Sequence, residues 1–275
     1  MNINETATYS IPYFLRPSGC LDCHINKPFN KEESIEIAAF HEHRFAFYYW
    51  LKWTNDLNGK IPSLVTFDWH QDLCPPYKDK VEELKSLETT KMSKVAFYTW
   101  ARLEPTNDVQ IQSAILLNKI QNVYVICRQK SRRDNPMIIE DYHGNTHKIY
   151  LFDNINEFEK MIPSLEEEHV FWDIDLDYFT LCNPPSMGGT TPGKKYTYLT
   201  KAAIEEQFSS QSPVIRWILE RIEGMTIAME PDFCGGLKHS NRLYSIVERA
   251  LFTEPLFNKN IYRKYPDWKV HTNTI

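Results

Sequence analysis

The chain contains no apolar run near the roughly 18 to 20 residues that a membrane-crossing helix needs. That argues against an integral helical membrane protein. Its opening, Met1 to Ser10, is polar and lacks the charged-then-apolar pattern of a secretory leader. Positive charge is not in excess either. The net charge is −5 over 275 residues, so no basic field favours nucleic acid as a partner. There is no disulfide framework: the six cysteines (Cys20, Cys23, Cys74, Cys127, Cys182 and Cys234) are scattered, and a reducing cytoplasm is the expected compartment. Cys20-Leu21-Asp22-Cys23-His24 spells Cys-x-x-Cys-His, the form of a haem attachment site. With no export signal and no second Cys pair, incidental cysteines are the expected reading rather than haem or structural zinc. Internal repeats and low-complexity stretches are also missing.

What the chain does have is apolar material: 42% hydrophobic and 13% aromatic residues, enough for a sizeable core and against disorder. Segments of strand and helix character alternate. Ser34–Phe40, Ser63–Phe67, Val95–Trp100, Asn122–Cys127, Lys148–Phe152 and Met225–Met229 read as strands. Arg44–Trp53, Lys78–Leu87, Asp108–Ile120, Ile155–Met161, Leu199–Phe208, Val214–Glu223 and Asn241–Leu251 read as helices. Asn55 to Pro62 reads as a turn, and Arg128 to Asn135 as a charged loop. Residues 1–30, with Pro12, Pro17, Gly19 and Pro28, read as irregular chain or a short hairpin. The C-terminal tail is polar and expected to be extended. The pattern predicts a single α/β domain over 1–275, a three-layer α/β/α sandwich with a mostly parallel sheet.

Chemistry concentrates where strands end. Ser63–Phe67 runs straight into Asp68-Trp69-His70-Gln71-Asp72, three metal-competent side chains within five residues. In parallel α/β sheets the carboxyl ends of strands are where ligands bind. A second apolar strand, from Val170, ends in Asp173-Ile174-Asp175-Leu176-Asp177. Alternation along an extended chain would put these three acids on one side. Like charges so close repel unless a cation compensates them, so two such clusters predict a shared metal site holding two ions. His41 and His43 sit at a third strand end, after Phe40, and compete for the imidazole position. A fourth end carries Glu230-Pro231-Asp232. The loop Asn183 to Tyr196 follows the second acidic strand and reads equally as a lid over the site or a plain surface connection.

This constellation resembles the arginase and histone-deacetylase superfamily. Asp68-x-His70-x-Asp72, then Asp173-x-Asp175, then Glu230-Pro231 stand in that family's order, and Glu42-His43 lies where it places its first histidine ligand. The run Glu42-His43-x-x-Ala46-x-x-x-Trp50 looks most like the branch that includes peptide arginases, which convert arginine side chains of ribosomally made precursor peptides to ornithine. The resemblance implies an arginase-like fold and a binuclear Mn2+ centre. One ion would be held by His43, Asp68, Asp72 and Asp173, and the other by Asp68, His70, Asp173 and Asp175, with Asp68 and Asp173 bridging. Hard oxygen donors with imidazole suit manganese on independent grounds. Water on two such ions is acidic enough to supply hydroxide near neutral pH. Glu230 would pair with the substrate guanidinium in a charge-assisted contact, Asp232 would be a further substrate contact, and Asp177 would stand behind the ligands or face solvent. Two departures are evident. Leu73-Cys74-Pro75-Pro76 does not match the loop that reads the α-carboxylate and α-amino groups of free arginine, as a peptide substrate would require. None of His143, His147 and His169 stands in the context of the family's proton-shuttling histidine. The rival readings are a deacetylase-like amide hydrolase with one ion and a non-catalytic module that holds a basic peptide. A metallophosphoesterase should show Gly-Asp-x-x-Asp and Gly-Asn-His-Asp/Glu, and neither occurs.

Overall fold

Short runs of Val, Ile, Phe and Tyr pair into one sheet. A computed structural model describes residues 16–129, 136–181, 196–257 and 267–269. Within them the strands are β1 (Leu21–Asn26), β2 (Ser34–Phe40), β3 (Ser63–Asp68), β4 (Val123–Cys127), β5 (Met137–Glu140), β6 (Thr146–Phe152), β7 (Val170–Asp175) and β8 (Ile222–Ala228). Their order across the eight-stranded sheet is β1-β2-β8-β7-β3-β4-β6-β5. The central run from β2 to β6 is parallel throughout, and β1 and β5 close the two edges antiparallel. Every residue of β3, β4 and β7 is buried, which explains why these strands read as continuous apolar runs.

Helices cover both faces: α1 (Ala46–Asp56), α2 (Val81–Lys85), α3 (Met92–Ala101) and α4 (Gln110–Leu116) on one, α5 (Ile155–Met161), α6 (Lys201–Gln207), α7 (Pro213–Leu219) and α8 (Leu237–Leu251) on the other. The strands feed both cores by their two-residue period. Leu64 and Phe171 pack with α1–α4, while their neighbours Val65 and Trp172 pack with α5–α8. The result is the three-layer sandwich expected from the alternation of elements. Helix α1 lies close on β8 because residue 224 is glycine: a Cβ there would fall 2.3 Å from the Trp53 ring. That close approach seats the C-terminal half of α1 against the sheet.

Chain order locates a crevice. From β3 the chain moves outward to β4, and from β7 it moves the other way to β8. The carboxyl ends of β3 and β7 therefore border the topological switch point, where open α/β sheets bind ligands.

Several elements differ from expectation. Val95–Trp100 is not a strand but part of α3. Val95, Ala96, Tyr98 and Thr99 are buried while Phe97 and Trp100 are exposed, a pattern that strict alternation cannot produce. Aromatic and β-branched content suggested strand, and tertiary packing overrides that preference. The helix expected over Val214–Glu223 stops at Leu219, and β8 begins at Ile222. Within the segment expected to be irregular or a short hairpin, Leu21–Asn26 form an edge strand that pairs with β2, and residues 1–15 lie outside the described residues. Strand β5 was not foreseen. Helices α2 and α4 are shorter than read, while α8 begins earlier, at Leu237. The Cys-x-x-Cys-His run is dispersed: Cys20 packs in the α1–α4 core, Cys23 against the opposite core, and His24 is exposed. Residues 183–195 of the expected loop, residues 130–135 and Cys182 lie outside the described residues.

Candidate metal centre

Strands β2, β8, β7 and β3 lie side by side, and each hands a functional residue to the same end of the sheet. After β2 a 3-10 turn, His43–Phe45, leads into α1 and buries His43 completely. Strand β3 ends in Asp68, and the turn beyond it brings Asp72 back with a left-handed backbone (φ 48°) that Asp tolerates better than most residues. Strand β7 delivers Asp173 and Asp175 by alternation. Asp177 arrives differently, on the 3-10 turn Leu176–Phe179, whose first turn is capped by the Asp175 carboxylate accepting from the Asp177 N–H at 2.9 Å. Beyond β8 stands Glu230, at φ 32°, a strained conformation for a residue with a full side chain that also precedes a proline.

The acids converge on His43. Its Nδ1 lies 2.8 Å from Asp72 Oδ2, 3.2 Å from Asp175 Oδ2 and 3.5 Å from Asp68 Oδ2. Despite these distances, His43 Nδ1, Asp68 Oδ2 and Asp177 Oδ2 are buried atoms without a hydrogen-bond partner. Acidic and imidazole donors are crowded together with some of their atoms lacking a hydrogen bond, an arrangement a cation would satisfy. Three groups of donor atoms lie within metal-binding range of one another: His43 with Asp68 and Asp72, Asp68 with His70 and Asp177, and Asp175 with Asp177 and Glu230. Asp68 and Asp177 each belong to two groups. All donors are carboxylate oxygen or imidazole nitrogen, with no thiol among them, which fits a hard or borderline divalent ion.

Asp173 plays a different part from the one expected of it. The register sets Thr66 of β3, Asp173 of β7 and Thr226 of β8 in one row. Thr66 Oγ1 donates to Asp173 Oδ2 at 2.7 Å, and Thr226 Oγ1 to Asp173 Oδ1 at 2.5 Å. His43 Nε2 also lies 2.8 Å from Oδ2. Both oxygens are thus engaged, and Asp173 is in none of the donor groups. Asp177, expected behind the ligands or facing solvent, is fully buried and belongs to two of them. The acidic motif reaches the centre two residues later than the resemblance suggested. The reason is local: Asp173 still lies between β3 and β8 in the ladder, where hydroxyl neighbours claim it.

Electrostatics agree with the geometry. Burial raises the carboxyls of Asp68, Asp175 and Glu230 well above the ordinary range, and neighbouring carboxylates add to it. Burial alone would lower the two imidazoles. Asp173 outweighs it for His43, and Asp177 for His70, which rises to about 12. For Asp177 burial raises the pKa, but the charge of His70, whose Nδ1 is 2.9 Å away, prevails and lowers it.

Between His41 and His43 the geometry is clear. His43 is the one among the acids, while exposed His41 lines an adjoining cavity of about 220 Å³ with Glu42, Asn107, Glu230, Pro231, Asp232 and Phe233. His147 and His169 lie near the amino ends of β6 and β7, and His143 lines a surface cavity beside Asn55 and Lys119. No member of that trio joins the donor groups. Sequence reasoning missed Thr66, Thr226, Asn107 and Gln110. Thr66 could have been found, because alternation places it on the same side as Asp68. The Asn107 carboxamide donates to Glu230 Oε1 at 2.6 Å and that of Gln110 to Asp72 Oδ2 at 2.7 Å, and neither residue carries a motif. Comparison with models of known protein families and with curated proteins returned no match.

Proposed function

We propose that the chain is an arginase-type hydrolase of arginase-like fold that converts arginine residues of a ribosomally made precursor peptide to ornithine and urea. The observation that carries the reading is the convergence of two imidazoles and four carboxylates, His43, His70, Asp68, Asp72, Asp175 and Asp177, with buried donor atoms left unpaired. One Mn2+ would be held by His43, Asp68, Asp72 and Asp175, and a second by Asp68, His70, Asp175 and Asp177. Such an ion pair supplies, when bound, water acidified to near neutral pH as a nucleophile.

The rest falls to side chains. Glu230 Oε1 accepts from the His43 backbone N–H at 3.0 Å and from Asn107, so one edge of the carboxylate is anchored and the group is held beside the acids. A guanidinium there gains a charge-assisted contact that sets its central carbon toward the metal donors. Hydrolysis forms a carbon–oxygen bond and breaks the bond from that carbon to the side-chain nitrogen, which leaves as an amine after taking a proton. His41 lines the cavity and is the candidate donor of that proton. The His70 ring contacts Trp69 and Phe233, with ring centroids 5.0 and 5.2 Å away. These rings give an apolar flank for the methylene stem.

Support for a peptide substrate comes from what lines the cavity. Among the described residues its charged lining is Glu42, Glu230 and Asp232, with no Lys or Arg there to receive the α-carboxylate of free arginine. Its volume suits one extended side chain better than a bulky ligand, pockets for which run to roughly 300–1,000 Å³. No disulfide joins the described cysteines, in keeping with a cytoplasmic setting, and no described helix is long and apolar enough to cross a membrane. The test is to incubate the Mn2+-loaded protein with an arginine-containing peptide, and in parallel with free arginine, and to follow peptide mass and urea. Peptide converted to ornithine with free arginine spared is the expected result. An unchanged peptide mass would refute the assignment.

A further inference from the structure

The connection after α3 and the first residue of α4 send two carboxamides into the site from outside the strand ends, and each meets a different acid. Gln110 Nε2 donates to Asp72 Oδ2 at 2.7 Å, and Asn107 Nδ2 donates to Glu230 Oε1 at 2.6 Å. The segment is itself tied down. Arg44 N donates to Asn107 Oδ1 at 3.3 Å, Arg44 Nη1 to the Leu103 carbonyl at 3.0 Å, and the Cys74 N–H to the Asp108 carbonyl at 2.8 Å. Arg44 follows His43, and Cys74 follows the Asp68–Asp72 motif by two residues. The segment is therefore docked on the same two turns that carry the proposed ligands.

We infer that residues 107–110 form a positioning element that sorts the acids, Gln110 holding Asp72 in the metal group and Asn107 holding Glu230 for the substrate. This rests on the proposed function for its substrate half. Two costs point away from simple packing. Gln110 is fully buried, and its own Oε1 has no partner. A buried polar atom left unmatched is destabilising, a cost that an apolar residue at that position would avoid. Asn107 holds a left-handed backbone, φ 59°. The division also answers an ambiguity in the donor groups, since Glu230 lies within metal range of Asp175 and Asp177. With Oε1 taken by Asn107 and by the His43 amide, Glu230 has half of its acceptor capacity committed away from an ion.

The inference separates two readouts. Gln110→Ala should weaken Mn2+ affinity by about tenfold, the low end for loss of a group that orients a metal ligand. Asn107→Ala should leave Mn2+ affinity within about twofold while lowering kcat/KM on the arginine peptide by about tenfold or more, as displacement of an orienting group does. Asn107→Asp keeps the shape but sets a like charge against Glu230, and it should be worse than Asn107→Ala. In a Glu230→Gln background, Asn107→Ala should add little. Metal affinity is read by calorimetry, and folding by thermal melting of each variant. Equal loss of Mn2+ affinity in both alanine variants, no loss in Gln110→Ala, or full additivity of Asn107→Ala with Glu230→Gln would overturn the sorting. If the wild-type protein binds Mn2+ but turns over no arginine peptide, the proposed function falls and takes the Glu230 half with it. The Gln110 half is then decided by affinity alone.

Discussion

His43 Nε2 lies 2.8 Å from Asp173 Oδ2, and this contact decides which ring nitrogen faces the acids. When the raised imidazole gives up a proton to bind an ion, an Nε2–H directed at this carboxylate leaves the lone pair on Nδ1, which points at Asp68, Asp72 and Asp175. A histidine that binds a metal commonly donates its other N–H to a carboxylate in this way, which fixes tautomer and ring plane. Trp50 Nε1 extends the chain of contacts to Thr226 Oγ1 at 3.3 Å, so α1 is tied to the same row.

Replacing Asp173 by Ala should therefore lower Mn2+ affinity roughly 10- to 100-fold without removing a ligand. Asp175→Ala, which removes a proposed ligand, should do more. Calorimetric titration of both variants checks the ranking. Asp173→Ala losing both ions while Asp175→Ala loses only one would restore the assignment first expected of the motif, with Asp173 bridging.

Glu230→Gln keeps the size of the side chain and removes its charge. Mn2+ binding should persist, and kcat/KM on an arginine peptide should fall by about 30- to 150-fold, the scale of losing a charge-assisted, orienting contact of about 2–3 kcal/mol. Steady-state kinetics beside metal analysis tests this. An unchanged KM and kcat would remove Glu230 from the substrate.

The raised carboxyls set a pH dependence. Asp68, Asp175 and Glu230 have folded pKa values above their unfolded ones, so the metal-free folded state binds more protons and loses stability as pH rises through that interval. His43 and His70 act in the same sense, their contribution being complete below an unfolded value near 6.5 and lost as pH rises through the raised folded value. Asp177, shifted down, opposes them. Because ligands bind ions deprotonated, the gain in Tm from saturating Mn2+ should grow from pH 6 to pH 8. Thermal melting with and without Mn2+ measures it. A gain that shrinks with pH would contradict this account of the acids.

Gly224→Ala should destabilise the fold by about 2 kcal/mol, within the range for overpacking a well-filled core. The added Cβ meets the Trp53 ring at 2.3 Å, and α1 must shift. Chemical denaturation gives the value, and no change would mean that Trp53 repacks freely.

Much of this was legible in the sequence because buried parallel strands and acids at their ends follow from a two-residue period. Asp68, His70 and Asp72 could be placed from Ser63–Phe67 alone. The share of work between Asp173 and Asp177 could not, since it depends on where β7 stops and a 3-10 turn begins. That turn brings Asp177 in by a route alternation does not describe. Asn107 and Gln110 were illegible for another reason: a carboxamide in a loop or at the first turn of a helix carries no motif, and their partners lie 123 and 38 residues away. Helix α3 was misread because its exposed aromatics, Phe97 and Trp100, weighed toward strand.

The most direct test of the central claim is the number of Mn2+ ions bound per chain at saturation, by elemental analysis of the wild type and of Asp68→Ala, whose carboxylate is shared by two donor groups. The account predicts two equivalents in the wild type and neither ion retained tightly in the variant. A wild type that binds a single ion would favour the deacetylase-like alternative, and one that binds none would contradict the metal centre itself.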